Sequence, residues 1–361
     1  MDTILLLGGY GATGRLLARH LLAQTAYRII IAGRNLEKAQ SLVDSLHDER
    51  VTARQVNATD SASLKQALQR VDFILVAAPT THHTETVLRA ALEAGVDYLD
   101  VQYSDLKLGA LRAHENEIRQ RGLCFVTEAG FHPGLPSAMI RYAASELEVV
   151  DSARVAGYLN MRNIPYTEAV DELMEGFIHY QAQVYKNGAW THPRSWETRK
   201  FDFGEEIGTR TCYSMFFEEL RCIPEMYPTL KETGFYISGS NWLADLILTP
   251  IIMLGLKIAP KRGLRPLGKL MWWGMGKAKP PYRVALQVEA SGKSNGKQAQ
   301  VRARCEHEDG YELTAIPVVA FLMQYDRIRK PGLHMMGHLA EPHRLFEDME
   351  RMGVRVTTAV R

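Results

Sequence analysis

The first 130 residues alternate between two hydrophobic patterns. Short apolar runs, which are typical of strands buried on both faces of a sheet, lie between segments whose apolar residues recur at helical spacing. Strands that alternate with helices predict right-handed crossovers and a doubly wound parallel sheet, an α/β fold of the Rossmann type. The predicted strands are 3–7, 27–34, 51–56, 73–78, 98–101 and 123–127, and the predicted helices are 16–22, 36–46, 61–69, 84–94 and 105–121.

A different pattern follows residue 150, where apolar and polar residues alternate and aromatic residues are frequent. This pattern favours an α+β arrangement over further strand–helix–strand units. The predicted elements are a strand at 153–159, a helix at 167–180, a turn-rich stretch at 190–203, antiparallel strands at 282–290 and 298–306 around a turn at 291–296, a strand at 311–315 leading into a helix at 316–324, and a helix at 342–352.

A glycine-rich turn separates the first predicted strand from the first predicted helix. Its spacing, Gly9-x-Gly11-x-x-Gly14, is that of the dinucleotide fingerprint. In this fingerprint the first glycine allows a sharp turn, the second lets a pyrophosphate approach the backbone, and the third lets the helix pack closely on the strand. The first turn of the helix would offer unpaired N–H groups to the anion. An ordinary tight turn is the alternative. The predicted cofactor contacts here are Gly9, Tyr10, Gly11, Ala12, Thr13 and Gly14.

The end of the second predicted strand indicates which dinucleotide binds. An Asp or Glu at this position would bind the ribose 2′-hydroxyl of NAD, but the chain has Gly33 followed by Arg34. A cation suits the 2′-phosphate of NADP. We therefore predict NADP, with NAD less favoured; the alternative for Arg34 is a solvated charge at a strand end.

The other strand ends supply further candidate contacts. In a doubly wound sheet the ligand lies beyond the carboxyl ends of the strands. Asn57 and Asp60 follow the third strand and are placed near the adenine, although Asp60 is equally well suited to cap a helix. The remaining predicted contacts are Ala78, Pro79 and Thr80 after the fourth strand, Gln102 after the fifth and Gly130 after the sixth.

Two residues at this edge are candidate proton donors. Tyr103 and His132 both follow predicted strand ends, and histidine is the side chain most easily poised near neutral pH. The alternatives are packing for Tyr103 and a loop-stiffening hydrogen bond for His132. An iminium that accepts hydride would need neither acid.

The composition excludes several classes of protein. The chain has 361 residues with 43 basic and 41 acidic side chains, a balance that argues against a general nucleic-acid binder. Because Met1 runs directly into the first strand with no signal-peptide pattern, we expect a cytoplasmic protein. Four scattered cysteines form no CxxC pair, which argues against a zinc site or a disulfide framework. We also expect no metal at His82 and His83.

The stretch 242–283 has an unusual composition. Its first part, 242–258, is strongly apolar but is interrupted by Asp245 and Pro250, and its second part, 257–283, carries eight Lys and Arg residues and no acid. Basic residues around tryptophans beside an apolar run suit a membrane interface or a long apolar substrate. The alternative is a core helix followed by a basic solvated loop.

Four segments together resemble the saccharopine dehydrogenase/reductase-like family. They are GGYGATGR at 8–15, AGRNLEKA at 32–39, ALEAGVDYLDV at 91–101 and AGFHPGLPS at 129–137. The resemblance implies an NADP-binding sheet domain and an inserted α+β substrate domain, with hydride transfer to or from an imine or secondary amine. The family often has Asp at the position of His132. Some members resemble trans-acting enoyl reductases that act on lipid chains.

These observations predict a domain organisation and a function. The dinucleotide-binding domain is expected at 1–130, completed by about 315–361, with the substrate domain at 131–314. We expect an NADP-dependent oxidoreductase that acts on a small molecule and forms a homodimer, with peripheral lipid contact through 242–283 left open. The alternatives are an enzyme that reduces a long apolar substrate and a non-catalytic NADP sensor or membrane-docked scaffold.

Overall fold

The computed structural model describes residues 1–161, 166, 168–176, 178, 180–194, 197–239, 241 and 243–361. Parts of the predicted helix 167–180 and of the turn-rich stretch 190–203, and Trp242, lie outside these residues. The chain divides into two compact units, Met1–Leu135 with Tyr311–Met349, and Pro136–Gly310 with Glu350–Arg361. Residues 315–361, expected as a whole in the first domain, are shared between the units because the last strand belongs to the second sheet.

The strands and helices follow one another along both units. In chain order the strands are β1 (Thr3–Leu7), β2 (Arg28–Gly33), β3 (Val51–Gln55), β4 (Phe73–Val76), β5 (Asp97–Asp100), β6 (Cys124–Thr127), β7 (Val149–Asn160), β8 (Val184–Lys186), β9 (Ala189–Thr191), β10 (Thr198–Asp202), β11 (Thr209–Met215), β12 (Glu232–Ser238), β13 (Arg283–Ser294), β14 (Lys297–His307), β15 (Gly332–Met335) and β16 (Arg355–Val360). The α-helices are α1 (Ala12–Gln24), α2 (Leu36–Leu46), α3 (Ser61–Ala67), α4 (Thr84–Ala94), α5 (Asp105–Ala113), α6 (Glu115–Gln120), α7 (Leu135–Ala144), α8 (Glu168–Gly176), α9 (Ile223–Met226), α10 (Thr249–Ile258), α11 (Pro260–Met275), α12 (Glu312–Ile328), α13 (Met336–Leu339) and α14 (Pro342–Arg351).

The first unit is built on a parallel sheet. Within the described residues it has seven strands in the order β15-β6-β5-β4-β1-β2-β3, and every neighbouring pair is parallel. The strand order reverses beside β1, which is the doubly wound arrangement. Residues such as the four of β4 are completely buried because helices cover both faces. The prediction of an α/β fold with this N-terminal sheet is confirmed.

Three elements of this unit differ from the predicted ones. The strand expected at 311–315 is wrong, because α12 begins at Glu312 and its apolar residues are buried around most of the helix, a pattern that a short window does not distinguish from a strand. The single helix expected at 105–121 is two helices, since His114 between them has a non-helical φ of −107° and ψ of 7°. The short, partly polar β15 was not predicted and pairs with β6.

A buried carboxylate at the start of β5 connects helix α12 to the sheet. Asp97 accepts hydrogen bonds from the Cys124 backbone N–H (2.8 Å) and the Tyr325 hydroxyl (2.7 Å). Arg329 donates to both carboxylate oxygens, at 2.6 and 2.9 Å, and also to the Gly122 carbonyl. The segment that returns to the first unit after residue 310 is therefore held by a charge-assisted network.

The second unit contains a mixed sheet. In the described part of the chain it has nine strands, with the main order β10-β11-β12-β7-β13-β14-β16, and β8 and β9 added beside β12. The β13–β14 hairpin is longer than predicted, because only Asn295 and Gly296 form its turn. Both have positive φ, 51° and 71°, as a type I′ turn requires, and Asn-Gly is the preferred pair for it.

A helical hairpin follows the strands β10–β12. A π-helical segment, Leu243–Leu248, runs into α10, and α11 follows after one residue. The basic stretch is therefore largely helical and not the solvated loop of the alternative interpretation. Among the described residues, no helix combines the length and the apolarity needed to cross a membrane.

We expect Asp97→Ala to lower the free energy of unfolding by about 2 to 3 kcal/mol, because it removes the acceptor of several buried, charge-assisted hydrogen bonds. Asp326→Ala is the matched control, since its carboxylate lies on the same helix as Tyr325, is 60% exposed and pairs with the N-terminus. The control should change stability by less than about 0.5 kcal/mol. Urea unfolding measures both, and equal effects would contradict the assigned role of Asp97.

Candidate active site

The glycine turn after β1 is folded tightly against the sheet. The Gly8 N–H donates to the Ala32 carbonyl (2.8 Å), and the Gly11 N–H donates to the Gly8 carbonyl (2.9 Å). Gly8 has a φ of +85°, which favours glycine. A Cβ on Gly14 would lie 2.3 Å from the Gly8 oxygen. Only glycine at position 14 therefore allows α1 to approach the turn so closely.

No side chain in the described part of the chain caps the N-terminus of α1. Its N-cap residue is Gly11, and its first turn contains no acid. The neighbouring helices differ, because α2, α3 and α5 are capped by Asn35, Asp60 and Ser104. The first amides of α1 thus face the carboxyl edge of the sheet without a competing side-chain acceptor, an arrangement that fits a pyrophosphate.

Tyr10 connects the glycine turn to the end of β2. The Asn35 N–H donates to the Tyr10 hydroxyl (3.1 Å), and Arg15 Nε donates to the Tyr10 carbonyl (2.9 Å). A Cβ on Gly33 would lie 2.5 Å from the Tyr10 ring, so the small residue at position 33 is required by the tyrosine. This reason for Gly33 was not visible in the sequence.

Arg34 lies at the adjacent strand end. Its carbonyl accepts from Gln55 Nε2 (3.0 Å), which fixes the backbone, while its side chain is exposed. The guanidinium forms no ion pair with any residue that the structure describes. The cation at position 34, with Gly33 where NAD-binding chains carry an acid, fits a 2′-phosphate.

The residues predicted after β4 and β5 come together at the same sheet edge. Ala78 lies against the glycine turn, since a Cβ on Gly8 would be 2.7 Å from the Ala78 nitrogen. The Thr80 N–H donates to Gln102 Oε1 (3.2 Å), and Thr80 is buried. The loops on which Ala78, Pro79, Thr80 and Gln102 lie thus form one continuous wall.

A buried charge pair that the sequence pattern did not predict supports this wall. Lys107 and Asp100 are 1% and 0% exposed, with Nζ 3.7 Å from Asp100 Oδ1. Lys107 also donates to Gln102 Oε1 (2.8 Å), and Thr127 donates to Asp100 Oδ2 (2.9 Å). With two donors facing Oε1, the orientation of the Gln102 amide is determined. In the sequence, the helix that carries Lys107 looks polar and solvent-exposed. Only the position of Asp100 at a strand end indicates a buried polar site there.

Asn57 and Asp60 have local hydrogen bonds. Asp60 Oδ1 accepts from the Ala62 N–H (2.9 Å), the capping role given above as its alternative. Asn57 Oδ1 accepts from the Thr59 N–H (3.1 Å) and the Thr59 hydroxyl (3.0 Å). Contact of either residue with the cofactor stays a prediction.

The two candidate proton donors follow β5 and β6, which are parallel neighbours. The Tyr103 hydroxyl donates to Asp105 Oδ1 (3.4 Å). The His132 ring packs on Phe131 with centroids 4.2 Å apart, and burial lowers the pKa of His132 to about 4. The imidazole is therefore neutral near neutral pH. A role as proton donor stays a prediction for both residues.

The loop that carries His132 is compact. Gly130 has a φ of +138°, and a Cβ added to it would lie 3.1 Å from Thr314 Cγ2. A Cβ on Gly134 would lie 2.7 Å from the Gly130 nitrogen. Contact of Gly130 with the cofactor also stays a prediction.

The four cysteines are free thiols, and no cluster of His, Cys, Asp and Glu side chains suited to a metal occurs among the described residues.

The second unit has a cationic cavity that could not be found from sequence spacing. Its volume is about 390 Å³, and Arg210, Lys277 and Lys279 line it together with Tyr158, Asn241, Leu243 and Pro280. Arg210 lies over the Tyr158 ring, 5.4 Å from its centre. Arg210 is distant along the chain from Lys277 and Lys279, and the described lining residues include no acid. The arrangement fits a carboxylate or another anion.

Comparisons with known proteins agree with this geometry. Residues 4–126 match the family model of the saccharopine dehydrogenase NADP binding domain. Carboxynorspermidine synthase of Vibrio cholerae serotype O1 is 26% identical over 377 residues, which cover 90% of this chain and 89% of that protein. Saccharopine dehydrogenase (NADP+, L-glutamate-forming) of Schizosaccharomyces pombe is 29% identical over 153 residues, 42% of this chain and 32% of that protein.

A solved structure shares the fold. Apo saccharopine dehydrogenase (L-Glu forming) from Saccharomyces cerevisiae superposes with a TM-score of 0.67 at 14% identity, covering 100% of both chains. Residues 4–126 thus match a saccharopine dehydrogenase-type NADP-binding domain, and the likeness to carboxynorspermidine synthase extends over 90% of the chain. The predicted resemblance to the saccharopine dehydrogenase/reductase-like family is thereby confirmed, and so are NADP as cofactor and the assignment as an oxidoreductase. The specific contacts of Arg34 and of the wall residues with NADP remain predictions.

We expect Gly33→Ala to weaken NADPH binding by about tenfold, because the new methyl group displaces the Tyr10 ring beside the glycine turn. The same change in a Tyr10→Ala background should cost much less, since the ring is gone. Gly109→Ala is the control, because a Cβ there meets nothing within 4 Å. Calorimetric titration measures all four variants, and equal losses in both backgrounds would refute the steric account.

Proposed function

We propose that this enzyme reduces an imine to a secondary amine with NADPH, or catalyses the reverse reaction, on an opine-like substrate. The observation that carries the proposal is the extent of the likeness to carboxynorspermidine synthase. It covers 90% of this chain, well beyond residues 4–126 of the NADP-binding domain. The resemblance therefore includes the second unit, where a substrate-specific part is expected, and is not limited to the cofactor domain.

The residues of the first unit would hold NADPH, which supplies the hydride. The uncapped amides of α1 would bind the pyrophosphate, and Arg34 would bind the 2′-phosphate. Gln102, oriented by Lys107 and Thr80, would present a fixed polar group beside the nicotinamide ribose. In this proposal the chain contributes mainly positioning and electrostatics.

The cationic cavity of the second unit would bind a carboxylate of the substrate. Its three cations and the absence of an acid among its described lining residues support this role. An iminium carbon already carries positive charge, so hydride transfer to it needs no acid. Tyr103 and His132 then remain candidates only for proton movements before or after that step.

We expect Arg34→Glu to weaken NADPH binding by about 10- to 100-fold and NADH binding by less than about threefold, because only NADPH carries the 2′-phosphate. Arg28→Glu is the matched control: Arg28 is also exposed and lies at the opposite end of the same strand. Fluorescence titration with both nucleotides gives the affinities. Equal losses for NADPH and NADH would remove the assignment of Arg34.

The reaction itself is tested with imines formed in solution from a primary diamine and an aldehyde. We expect NADPH oxidation with formation of the secondary amine, detected by mass spectrometry, when the aldehyde also carries a carboxylate. An aldehyde of the same length without the carboxylate should raise KM by about tenfold or more. Turnover of an α,β-unsaturated thioester instead of the imine would contradict the proposed function.

A cytoplasmic location, a homodimer and peripheral lipid contact belong to the proposal as further expectations. Cell fractionation tests the location, and sedimentation velocity of the purified chain tests the dimer.

A further inference from the structure

The second unit exposes a concentration of apolar side chains. Of eleven exposed large apolar side chains in the described part of the chain, seven lie between Leu246 and Trp273. Single exposed apolar residues are normal on protein surfaces, whereas a group within one hairpin marks an interaction site. We call Leu243–Met275 with Lys277 and Lys279 the apolar–basic hairpin.

The helix α10 is apolar on two faces. Leu248, Ile252 and Leu256, spaced four residues apart, are buried and form a hydrophobic cluster with α8 and α11. On the other side Ile247, Ile251, Leu254 and Ile258 are 41%, 53%, 59% and 74% exposed. Their spacing is that of one continuous helix face. The inner face accounts for folding of the hairpin, and the outer face does not contribute to that core.

The partner helix α11 is exposed mainly through cations. Arg262, Arg265, Lys269 and Trp273 recur every three or four residues and are all exposed. Arg265 pairs with Asp171 at 3.6 Å, but Arg262 and Lys269 form no ion pair with any described residue. Lys277 Nζ lies 5.1 Å from the centre of the Trp273 ring. Tryptophan next to lysine is a combination suited to the headgroup level of a bilayer.

The charge of the hairpin determines the kind of partner. The sequence has no acid from Leu246 to Val288, and eight Lys and Arg residues lie between Lys257 and Arg283. A surface with this charge attracts anionic lipids, while the outer face of α10 can enter the acyl boundary. We propose that the apolar–basic hairpin docks this enzyme onto an anionic lipid bilayer. This inference goes beyond the proposed reaction and does not depend on it.

A second copy of the chain fits this surface less well. In a twofold dimer the same patch faces itself, so the cations of α11 would oppose their own symmetry mates. The exposed residues of the patch carry no acid to neutralise them. An anionic bilayer satisfies the apolar face and the charge together.

The test is flotation of the full-length protein with vesicles. We expect binding to vesicles of phosphatidylcholine and phosphatidylglycerol in equal parts to exceed binding to pure phosphatidylcholine vesicles by about tenfold or more. Raised salt should weaken it, because exposed charges are screened. Absence of binding to the anionic vesicles would overturn the proposal.

Paired variants separate the apolar contribution from the electrostatic one. Leu254→Glu should reduce binding by about tenfold or more, whereas Met226→Glu, at an exposed methionine on α9 of the same unit, should not. Lys269→Glu should reduce binding by about fivefold or more, whereas Lys297→Glu, on the β13–β14 hairpin, should have little effect. Equal effects of either variant and its control would contradict the docking surface.

Two further readouts keep the outcome unambiguous. Leu254→Glu should leave the urea midpoint and the NADPH affinity unchanged, since its side chain is exposed and lies in the second unit. Failure of imine reduction would thus not affect this test. Sedimentation velocity without vesicles is the last check, because a dimer that Leu254→Glu dissociates would assign the surface to a second copy and overturn the proposal.

Discussion

The close approach of α1 to the turn after β1 is the constraint on which the cofactor site depends. Gly14 lies so near the Gly8 carbonyl that any side chain would overlap it. This contact sets the start of the helix at the carboxyl edge of the sheet, with Gly11 as its N-cap. The amides left without a side-chain acceptor are therefore a consequence of packing, and they suit the turn to bind an anion.

A buried ion pair, Lys107 with Asp100, holds the polar wall beside this turn in place. Removing Lys107 and Asp100 from water is costly unless their remaining hydrogen-bonding groups find partners. Gln102 and Thr127 supply such partners, so the pair is retained together with a defined orientation for the Gln102 amide. The same principle acts at the opposite end of β5, where Asp97 is satisfied by Tyr325 and Arg329 and connects the returning helix to the sheet.

The second unit combines two features that suit different partners. Its cationic cavity collects Arg210, Lys277 and Lys279 around Tyr158 and fits a small anion. Its apolar–basic hairpin exposes large apolar side chains along the outer face of α10, which suit an apolar surface and not a small anion. Because Leu243, Lys277 and Lys279 belong to both, substrate binding and surface docking would share a boundary in this unit.

The sequence alone determined the class of fold and of cofactor. Apolar runs of buried strands alternate with segments of helical periodicity, and this local pattern predicts the fold class. The fingerprint Gly9-x-Gly11-x-x-Gly14 lies between the first strand and the first helix, and it predicts the cofactor class. The family resemblance added the oxidoreductase assignment. The length of the β13–β14 hairpin was also encoded locally, in Asn295-Gly296, but a turn of six residues was expected in its place.

Only the tertiary structure decided which polar residues are buried together. Lys107 looks like a surface residue of a solvated helix, and α12 looks like a strand at its start, because burial from several directions leaves no single period in the sequence. The cationic cavity was equally invisible, and the sequence left open whether the apolar residues of 242–258 are exposed or buried. Each depends on which neighbours cover a side chain, and those neighbours are distant along the chain.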